Sequence, residues 1–406
     1  MLASQGADLL SLITEQYDTY PYPARDPADE KNRLLHGSPS FPTEIDHFLF
    51  GGQRDWSKPL RALVAGGGTG DALIQLAQTL SSAGKPYEIT YLDLSKAARE
   101  IAEARAEVRA LSGIKFKTGS LLDAPDLGRF DYIDCCGVLH HLPEPDAGFL
   151  ALRQALAEGG GLGMMVYAPY GRSGVYPLQE GFNAVFGALA PKEKLAAARK
   201  VFDKLPDDHP FCRNRLLVDH NDNDAGFYDL LLHSQDRAYG VDDLIGALER
   251  AGLELVSFVH PALYDLSRLC AVPDDMDARS AMVVAEKLRG TMKVHVCYAA
   301  VAGSGKAPAN GRKMTAVPHL TGISAGQLAQ GIAKGAKPRL TIAGEKVALT
   351  LRRDTAPLIA GVNGRRSLAE IAQNAGIDPF RFAALWRTVE GELGGWGSLY
   401  YSGLLR

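Results

Sequence analysis

A hydrophobic run that leads directly into a glycine-rich turn constrains the fold of this chain more than any other feature. Residues 62–65 are apolar, glycines stand at positions 66, 68 and 70, and a helical pattern begins at Asp71. Glycine lacks a Cβ, so a ligand can approach the backbone of such a turn closely. The G-x-G-x-G spacing differs from the G-x-G-x-x-G turn that holds a pyrophosphate, which disfavours a nicotinamide dehydrogenase. We therefore predict a strand, a ligand-binding turn and a helix, with a purely structural turn as the alternative.

Short apolar runs alternate with helical patterns as far as residue 168. The helical patterns cover 71–80, 96–111 and 146–157, and the apolar runs occupy residues 62–65, 89–92, 114–117, 132–136 and 163–167. Buried parallel strands joined by crossover helices have this pattern. Further strands are predicted at 253–259 and 293–300. The predicted fold class is α/β, with a doubly wound, mostly parallel sheet of seven strands.

The length of 406 residues predicts more than one domain. With 46% hydrophobic and 22% charged residues, the chain has the composition of a globular protein. Its predicted parts are an N-terminal segment at 1–50 with an amphipathic helix at 1–15 and an aromatic lid, a main domain at 51–302 with a helical insertion at 170–240, a linker at 303–313 and a small α+β domain at 314–406.

Cysteine usage and hydropathy restrict the cellular setting. The five cysteines form neither a zinc-ligand spacing nor a disulfide framework, so reduced thiols in a cytoplasmic protein are expected. No apolar run approaches the roughly 20 residues that span a bilayer. The start of the chain also lacks the basic region of a signal peptide. We expect a cytoplasmic protein with no membrane partner.

Polar residues follow the predicted strands at the edge of the sheet where ligands bind in open α/β folds. Asp93 ends the second strand, where a carboxylate accepts hydrogen bonds from ribose hydroxyls. Ser120 follows the third strand, with an adenine contact and a structural turn as its two interpretations. His140 and His141 follow the fourth strand; their side chains are expected to diverge and no partner stands at metal spacing, so no metal site is predicted. His141 is a candidate base or hydrogen-bond partner, with a structural role in its loop as the alternative.

These segments together resemble the class I S-adenosylmethionine-dependent methyltransferase family. Residues 65–70 resemble its glycine loop, residues 92–95 its ribose-binding strand end and residues 138–143 its motif after the fourth strand. The resemblance covers most of residues 50–302, and it implies a Rossmann-like fold with S-adenosylmethionine (SAM) as cofactor and S-adenosylhomocysteine (SAH) as product. Ser120 stands where the family commonly has an acid. The cofactor-binding residues implied or expected are Gly66, Gly68, Gly70, Asp71, Asp93, Leu94, Ser120, Leu121, Gly137, Val138 and Tyr22.

Aromatic side chains on the N-terminal segment and after the fifth strand are candidate walls of the methyl-transfer site. Aromatic faces attract a sulfonium by cation–π interaction, worth roughly 0.5–2 kcal/mol. Half-buried packing residues are the alternative for these tyrosines, and a solvated loop is the alternative for the polar residues. The candidates are His141, Tyr167 and Tyr170 at the site of methyl transfer, and Tyr20, Tyr176, Arg213 and His220 as ligands of the acceptor.

The last hundred residues form a separate basic unit. From Gly305 onward, 14 Lys/Arg stand against 6 Asp/Glu. Residues 358–372 read as helix, turn and helix, with Ser367 and Glu370 in a capping box. Strands on both sides predict a winged-helix-like domain, and the segment resembles the leader-peptide-binding domains of peptide-modifying enzymes. RNA binding through arginines and a purely structural or dimer-forming unit are the alternatives.

The leading hypothesis is a SAM-dependent methyltransferase that transfers the methyl group in line to an unidentified acceptor, either a small molecule or a peptide or protein. A non-catalytic SAM-binding or partner-binding protein is the first alternative. An RNA acceptor bound by the basic C-terminal domain is the second. Nucleic acid is therefore not the favoured partner, and a homodimer is left open.

Overall fold

The computed structural model describes residues 13–342 and 344–406. A first helix, α1, covers residues 13–19. Most of the amphipathic helix predicted at residues 1–15 therefore lies outside the described residues. None of the helices in these two ranges is both long and apolar enough to cross a membrane.

A seven-stranded sheet forms the centre of the molecule. Its strands are β1 (Leu60–Ala65), β2 (Tyr87–Asp93), β3 (Ile114–Thr118), β4 (Phe130–Cys136), β5 (Leu156–Tyr167), β6 (Leu253–Phe258) and β7 (Val294–Val301). The order is β3-β2-β1-β4-β5-β7-β6. Strand β7 is antiparallel to both its neighbours, whereas β1 to β5 are parallel. The predicted α/β class with a mostly parallel seven-stranded sheet is thus confirmed.

The chain order reverses between β1 and β4, so their following loops diverge and leave a crevice at the carboxyl ends of the strands. Such a switch point is where ligands bind in this architecture. Helix α2 (Pro42–Leu49) precedes β1, and α3 (Asp71–Ser82), α4 (Lys96–Val108) and α5 (Pro145–Ala155) follow β1, β2 and β4. Leu73, Leu76 and Leu80 put one face of α3 into the core because residues three to four apart share a helix face.

A helical insertion follows β5 and has its own apolar cluster. It comprises α6 (Val175–Phe186), α7 (Pro191–Phe202), α8 (Pro210–Arg213) and α9 (Asp224–Leu231). Phe182, Phe211 and Phe227 are among its buried residues. Helices α10 (Val241–Arg250) and α11 (Ala278–Arg289) then return the chain to β6 and β7. The insertion reaches the carboxyl edge of the sheet, so it closes one side of the crevice.

The C-terminal residues form two small antiparallel sheets and four helices. Strands β8 (Pro318–Leu320) and β11 (Leu399–Tyr401) pair, as do β9 (Arg339–Ile342) and β10 (Glu345–Ala348); the helices are α12 (Ala325–Ala333), α13 (Ala356–Ala360), α14 (Leu368–Asn374) and α15 (Pro379–Val389). Ser367 and Glu370 form the predicted capping box. The sequence interpretation missed β8 and α12. Strand β8 has only three residues, one of them a proline, and so gives no strand pattern of its own. The winged-helix assignment stays a prediction.

The C-terminal unit is fastened to α2 by buried polar contacts. Asp46 accepts hydrogen bonds from the Ser402 hydroxyl at 2.6 Å and from the Gly403 backbone N–H at 3.2 Å. The Tyr401 N–H donates to Nδ1 of His47 at 3.2 Å. Within the predicted linker, the Ala309 N–H donates to the His47 carbonyl at 2.8 Å. The residues on either side of the linker predicted at 303–313 thus share a packed interface, and the domain boundaries stay a prediction.

Candidate functional site

A cavity of about 480 Å³ lies at the carboxyl ends of β1, β2, β4 and β5. The N-terminal segment closes it on one side and the insertion contributes the opposite wall. Predicted site residues that line it are Gly66, Gly68, Asp71, Asp93, Leu94, Leu121, Gly137, Val138, Tyr22, His141 and Tyr167. The sequence interpretation and the geometry thus select the same crevice.

The glycine turn has the backbone that only glycine adopts easily. Gly66 and Gly68 have φ values of +69° and +51°. A Cβ on Gly66 would lie 2.3 Å from the side chain of Val138, and one on Gly68 would lie 2.9 Å from the carbonyl oxygen of Tyr22. The turn is therefore packed directly against two other predicted site residues. Gly70 is the N-cap of α3 and does not line the cavity.

Asp93 ties the end of β2 to the glycine turn. Its Oδ2 accepts the Gly68 N–H at 2.8 Å and its Oδ1 accepts the Ser95 N–H at 2.8 Å. Burial raises the pKa of Asp93, and these two backbone hydrogen bonds oppose that effect. Each carboxylate oxygen has a second lone pair. The cavity therefore receives a buried carboxylate that can accept further hydrogen bonds from ligand hydroxyls.

Asp71 and Ser120 have structural partners of their own. The Asp71 carboxylate pairs with Arg25 at 2.6 Å and with Arg105 at 2.7 Å, so it holds the N-terminal segment against the start of α3. The Ser120 hydroxyl accepts the Leu122 N–H at 3.1 Å and caps a 3-10 helix. Ser120 itself does not line the cavity, whereas the neighbouring Leu121 does.

Asp134 and Gln75 are polar residues of the cavity lining that the sequence interpretation missed; both contact the segment 37–40, and this part of the cavity is called the second lobe. Asp134 is 1% exposed; its Oδ2 accepts hydrogen bonds from Ser40 at 2.7 Å and Tyr132 at 2.9 Å, but its Oδ1 has no partner in the described ranges. Gln75 accepts the Gly37 N–H at 2.6 Å, while its Nε2 likewise has no partner among the described residues. Burial raises the pKa of Asp134 to about 6. The lobe thus offers one free acceptor and one free donor.

Tyr167 stands where β5 ends and faces the insertion. Its hydroxyl donates to Oδ2 of Asp229 at 3.1 Å. The Arg172 guanidinium lies 3.6 Å from the centre of the Tyr167 ring and pairs with Asp236 at 3.3 Å. Asp229 is 4% exposed and lines the cavity. A buried carboxylate and an arginine-stacked tyrosine therefore form the wall opposite the glycine turn.

The ring of His141 stacks on that of His233, with centroids 3.8 Å apart. The Gln235 carbonyl lies 2.9 Å from Nδ1 of His141, and a carbonyl only accepts, so this nitrogen carries the proton. The Gln235 N–H lies 3.0 Å from Nδ1 of His233, so the proton of a neutral His233 is on Nε2. Nε2 of His233 faces the Tyr17 hydroxyl at 3.1 Å.

Two groups of side chains in the described ranges have ligand atoms close enough to consider a metal ion: His140, His141 and Asp236, and His141, Asp229 and His233. The adjacent rings of His140 and His141 are 4.1 Å apart, so they do not diverge as the sequence interpretation assumed. In the second group, the proton on Nε2 of His233 occupies the nitrogen that would bind the ion. In the first, Asp236 is already paired with Arg172, whose charge repels a second cation. The expectation of no metal stays a prediction.

Besides Gly70 and Ser120, five predicted site residues do not line the cavity. Tyr170 is 39% exposed. Tyr20 stacks on Tyr228, and the Tyr176 hydroxyl accepts from Arg172. Arg213 pairs with Asp208 on the surface, and His220 packs between Phe202 and Phe211. The structure therefore does not bring these side chains together with His141 and Tyr167.

Near Tyr167, the sequence interpretation missed Asp229 and Arg172, which line the cavity, and His233, whose ring stacks on His141. Asp229 is more than sixty positions from Tyr167 in the chain and more than two hundred from Tyr17. No local motif marks it, because its place in the cavity depends on how the insertion folds back. A polar residue inside the largely apolar helix α9 (Asp224–Leu231) was the available signal.

Comparisons with known proteins agree with this geometry. Residues 63–162 match a family model described as a methyltransferase domain. An uncharacterized protein of Synechococcus sp. is 31% identical over 284 residues, which are 68% of this chain and 66% of the relative. The structure of PKMT2 from Rickettsia typhi in complex with AdoHcy is 16% identical in sequence and has a TM-score of 0.59. The match covers 89% of this chain and 75% of the PKMT2 chain. A second PKMT2 structure gives a TM-score of 0.58. At this identity the structural similarity establishes the fold.

Proposed function

We propose that this chain, whose residues 63–162 match a methyltransferase domain, is a class I, Rossmann-like SAM-dependent methyltransferase and that it methylates an acceptor held between the glycine turn and Tyr167. The acceptor is a small molecule or one side chain of a peptide or protein. Its reactive atom would have to reach a cavity end formed by Tyr167, Asp229 and His141.

The residues present fit SAM. A volume of about 480 Å³ lies within the range of roughly 300–1,000 Å³ that is typical of small-molecule sites. Asp93 has lone pairs for the two ribose hydroxyls, and the Gly66–Gly68 turn leaves its backbone open to the ligand. In the second lobe, the free Oδ1 of Asp134 suits an ammonium and the free Nε2 of Gln75 suits a carboxylate. An amino-acid end has these two groups.

When bound, SAM supplies an electrophilic methyl group on a sulfonium. The chain's own contribution is to position the two reactants and to exclude water, which supplies on the order of several kcal/mol of barrier reduction. Two contacts hold the N-terminal segment over the cavity and so help to exclude water. The Thr69 hydroxyl donates to the Pro23 carbonyl at 2.7 Å, and Arg25 pairs with Asp71. Tyr22 and Tyr167 present aromatic side chains to the cavity, where they can stabilise a cation.

An RNA acceptor recruited by the C-terminal unit is supported less well. Arg352 is paired with Asp354 at 2.8 Å, and Arg365 donates to the Leu405 carbonyl at 2.8 Å. Two of the arginines that would meet phosphates are therefore already engaged. A small nucleophile fits the buried surroundings of Tyr167 and Asp229 better than a nucleotide within a strand does.

The proposal rests on the contact between Gly68 and Asp93 together with the unpartnered Oδ1 of Asp134 and Nε2 of Gln75 among the described residues. Calorimetric titration of the full chain with SAM, SAH and NAD tests it. We expect micromolar affinity for SAM and SAH and no binding of NAD. Folded protein that binds neither SAM nor SAH would contradict the proposal. Binding of SAM without SAH formation across panels of small molecules, peptides and RNA would favour the non-catalytic alternative.

A further inference from the structure

A buried carboxylate stands on the acceptor side of the cavity with its two oxygens oriented by tyrosines. Tyr17 donates to Oδ1 of Asp229 at 3.1 Å, and Tyr167 donates to Oδ2 at 3.1 Å. The two hydroxyls come from α1 and from the end of β5, two elements that both precede α9 in the chain and lie far apart in sequence. Each Asp229 oxygen keeps one further lone pair for a ligand.

The hydrogen bonds around Asp229 run in one direction. Nε2–H of His233 donates to the Tyr17 oxygen, so the Tyr17 proton is directed at Asp229. The reverse orientation is disfavoured because Nδ1 of His233 is occupied by the Gln235 N–H. Donors arranged in series polarise one another and strengthen the last hydrogen bond. The hydrogen bonds that run from the Gln235 N–H through His233 and Tyr17 to Asp229 are called the array. The array orients the Asp229 carboxylate as a hydrogen-bond acceptor.

Two carboxylates and one guanidinium meet at this wall of the cavity. Asp229 and Asp236 are two carboxylates, and Arg172 is the guanidinium paired with Asp236. Burial lowers the pKa of His140 and His233 well below the usual value, so both are neutral. Burial also raises the pKa of Asp229 and the charge of Asp236 adds to this, whereas positive charge on His141 and on Arg172 opposes it. A carboxyl group with increased proton affinity is suited to general-base chemistry.

From this arrangement we propose that Asp229 binds the methyl acceptor and takes its proton, which assigns the acceptor to the class of N–H or O–H nucleophiles. This inference rests on the proposed function. As the acceptor heteroatom forms its bond to the methyl carbon, the S–CH3 bond breaks with its electron pair left on sulfur. The proton of the heteroatom passes to a free lone pair of the Asp229 carboxylate. Tyr17 and Tyr167 are positioning residues, and His233 acts through Tyr17.

His141 is the competing base, since its Nε2 has a free lone pair and the residue lines the cavity. Asp229 is favoured because a carboxylate supplies a negative charge that holds the acceptor before reaction, whereas an imidazole supplies none. The two assignments differ in what they predict for binding alone: removing the Asp229 charge weakens acceptor binding, but removing the His141 ring nitrogen leaves most of it.

The test uses the full chain saturated with SAH and two probes, n-propylamine and phenol, titrated by saturation-transfer NMR. We expect at least one probe to bind, its affinity to fall at least tenfold in Asp229→Asn, and less than threefold in His141→Asn. The matched control is Asp222→Asn, an exposed carboxylate of the same insertion, which should leave affinity unchanged. Absence of binding by both probes, or equal affinity in Asp229→Asn, overturns the inference.

SAH affinity and thermal unfolding are measured for every variant first. If the wild type fails to bind SAH, both the proposed function and this inference are lost. If SAH binds but Asp229→Asn has no effect on the probes, only the inference is lost. Should Asp229→Asn not fold, Tyr167→Phe removes one orienting hydroxyl and keeps the ring; a two- to fivefold loss of probe affinity is expected, and no loss contradicts the role of the array.

Discussion

The backbone N–H of Gly68 donates to Oδ2 of Asp93 across 2.8 Å, and this contact joins the turn after β1 to the end of β2. The contact fixes the carboxylate and leaves its second lone pairs for the ribose. Asp93→Ala should therefore weaken SAH binding by roughly 1.5–3 kcal/mol, the usual range for hydrogen bonds to a charged group. Calorimetry measures the change, and Asp126→Ala, an exposed carboxylate after β3, is the control. Unchanged affinity in folded Asp93→Ala would refute this placement of the cofactor.

Gly66 faces Val138 across the mouth of the cavity, and a methyl group would not fit between them. Gly66→Ala puts a Cβ 2.3 Å from the Val138 side chain at a φ of +69°, so both strain and a clash are expected. We predict loss of SAH binding by more than tenfold, partly restored in Gly66→Ala/Val138→Ala. Gly84→Ala is a matched control, because Gly84 has a φ of +64° with no atom near its Cβ position. It should cost about 1–2 kcal/mol in unfolding free energy and leave SAH affinity intact.

The parts of this site that could be predicted from the sequence are those whose residues lie close together along the chain. The glycine turn and Asp93 lie within a strand–turn–helix unit, so their spacing in the chain already places them at the switch point. Asp229 and Gln75 reach the cavity through tertiary packing of α9 and α3, which no spacing encodes. Arg213 was expected in the site because it is polar within the insertion, yet α8 directs it to the surface, where it pairs with Asp208.

Asp134 and Gln75 are predicted to bind the ammonium and carboxylate groups at the amino-acid end of the cofactor. 5′-Methylthioadenosine keeps the adenosine but lacks the ammonium and carboxylate, so it separates the two lobes of the cavity. Asp134→Asn and Gln75→Leu should each weaken SAH binding about tenfold, the order expected for loss of one charge-assisted hydrogen bond. The affinity for methylthioadenosine should stay within twofold. Equal losses for both ligands would instead mean that the variants disturb the cavity as a whole.

The unfolding free energy should fall between about pH 4.5 and pH 7 because of Glu44. Burial raises its pKa from 4.5 to about 7, and hydrogen bonds from Ser38 and Tyr298 offset this only in part. In that window the folded protein keeps a proton that the unfolded chain has released, so stability decreases as pH rises. The decrease should be on the order of 3 kcal/mol at most, given 1.36 kcal/mol per pKa unit. Glu44→Gln should flatten this part of a urea-unfolding series, and an unchanged slope would assign it to another group.

The tautomer of His233 is the most direct spectroscopic test of the array behind Asp229. The Gln235 N–H occupies Nδ1 at 3.0 Å, so a neutral Nε2–H ring is expected across pH 6–8. ¹⁵N NMR of histidine-labelled protein distinguishes the two tautomers and the charged ring. Tyr17→Phe removes the partner of Nε2–H and should shift the His233 nitrogen signals while leaving SAH affinity within twofold. His209, a half-buried histidine of the insertion outside this array, should be unaffected. A His233 ring that titrates near pH 6.5, or one protonated at Nδ1, would reverse the direction of the hydrogen bonds and leave Asp229 without its oriented donor.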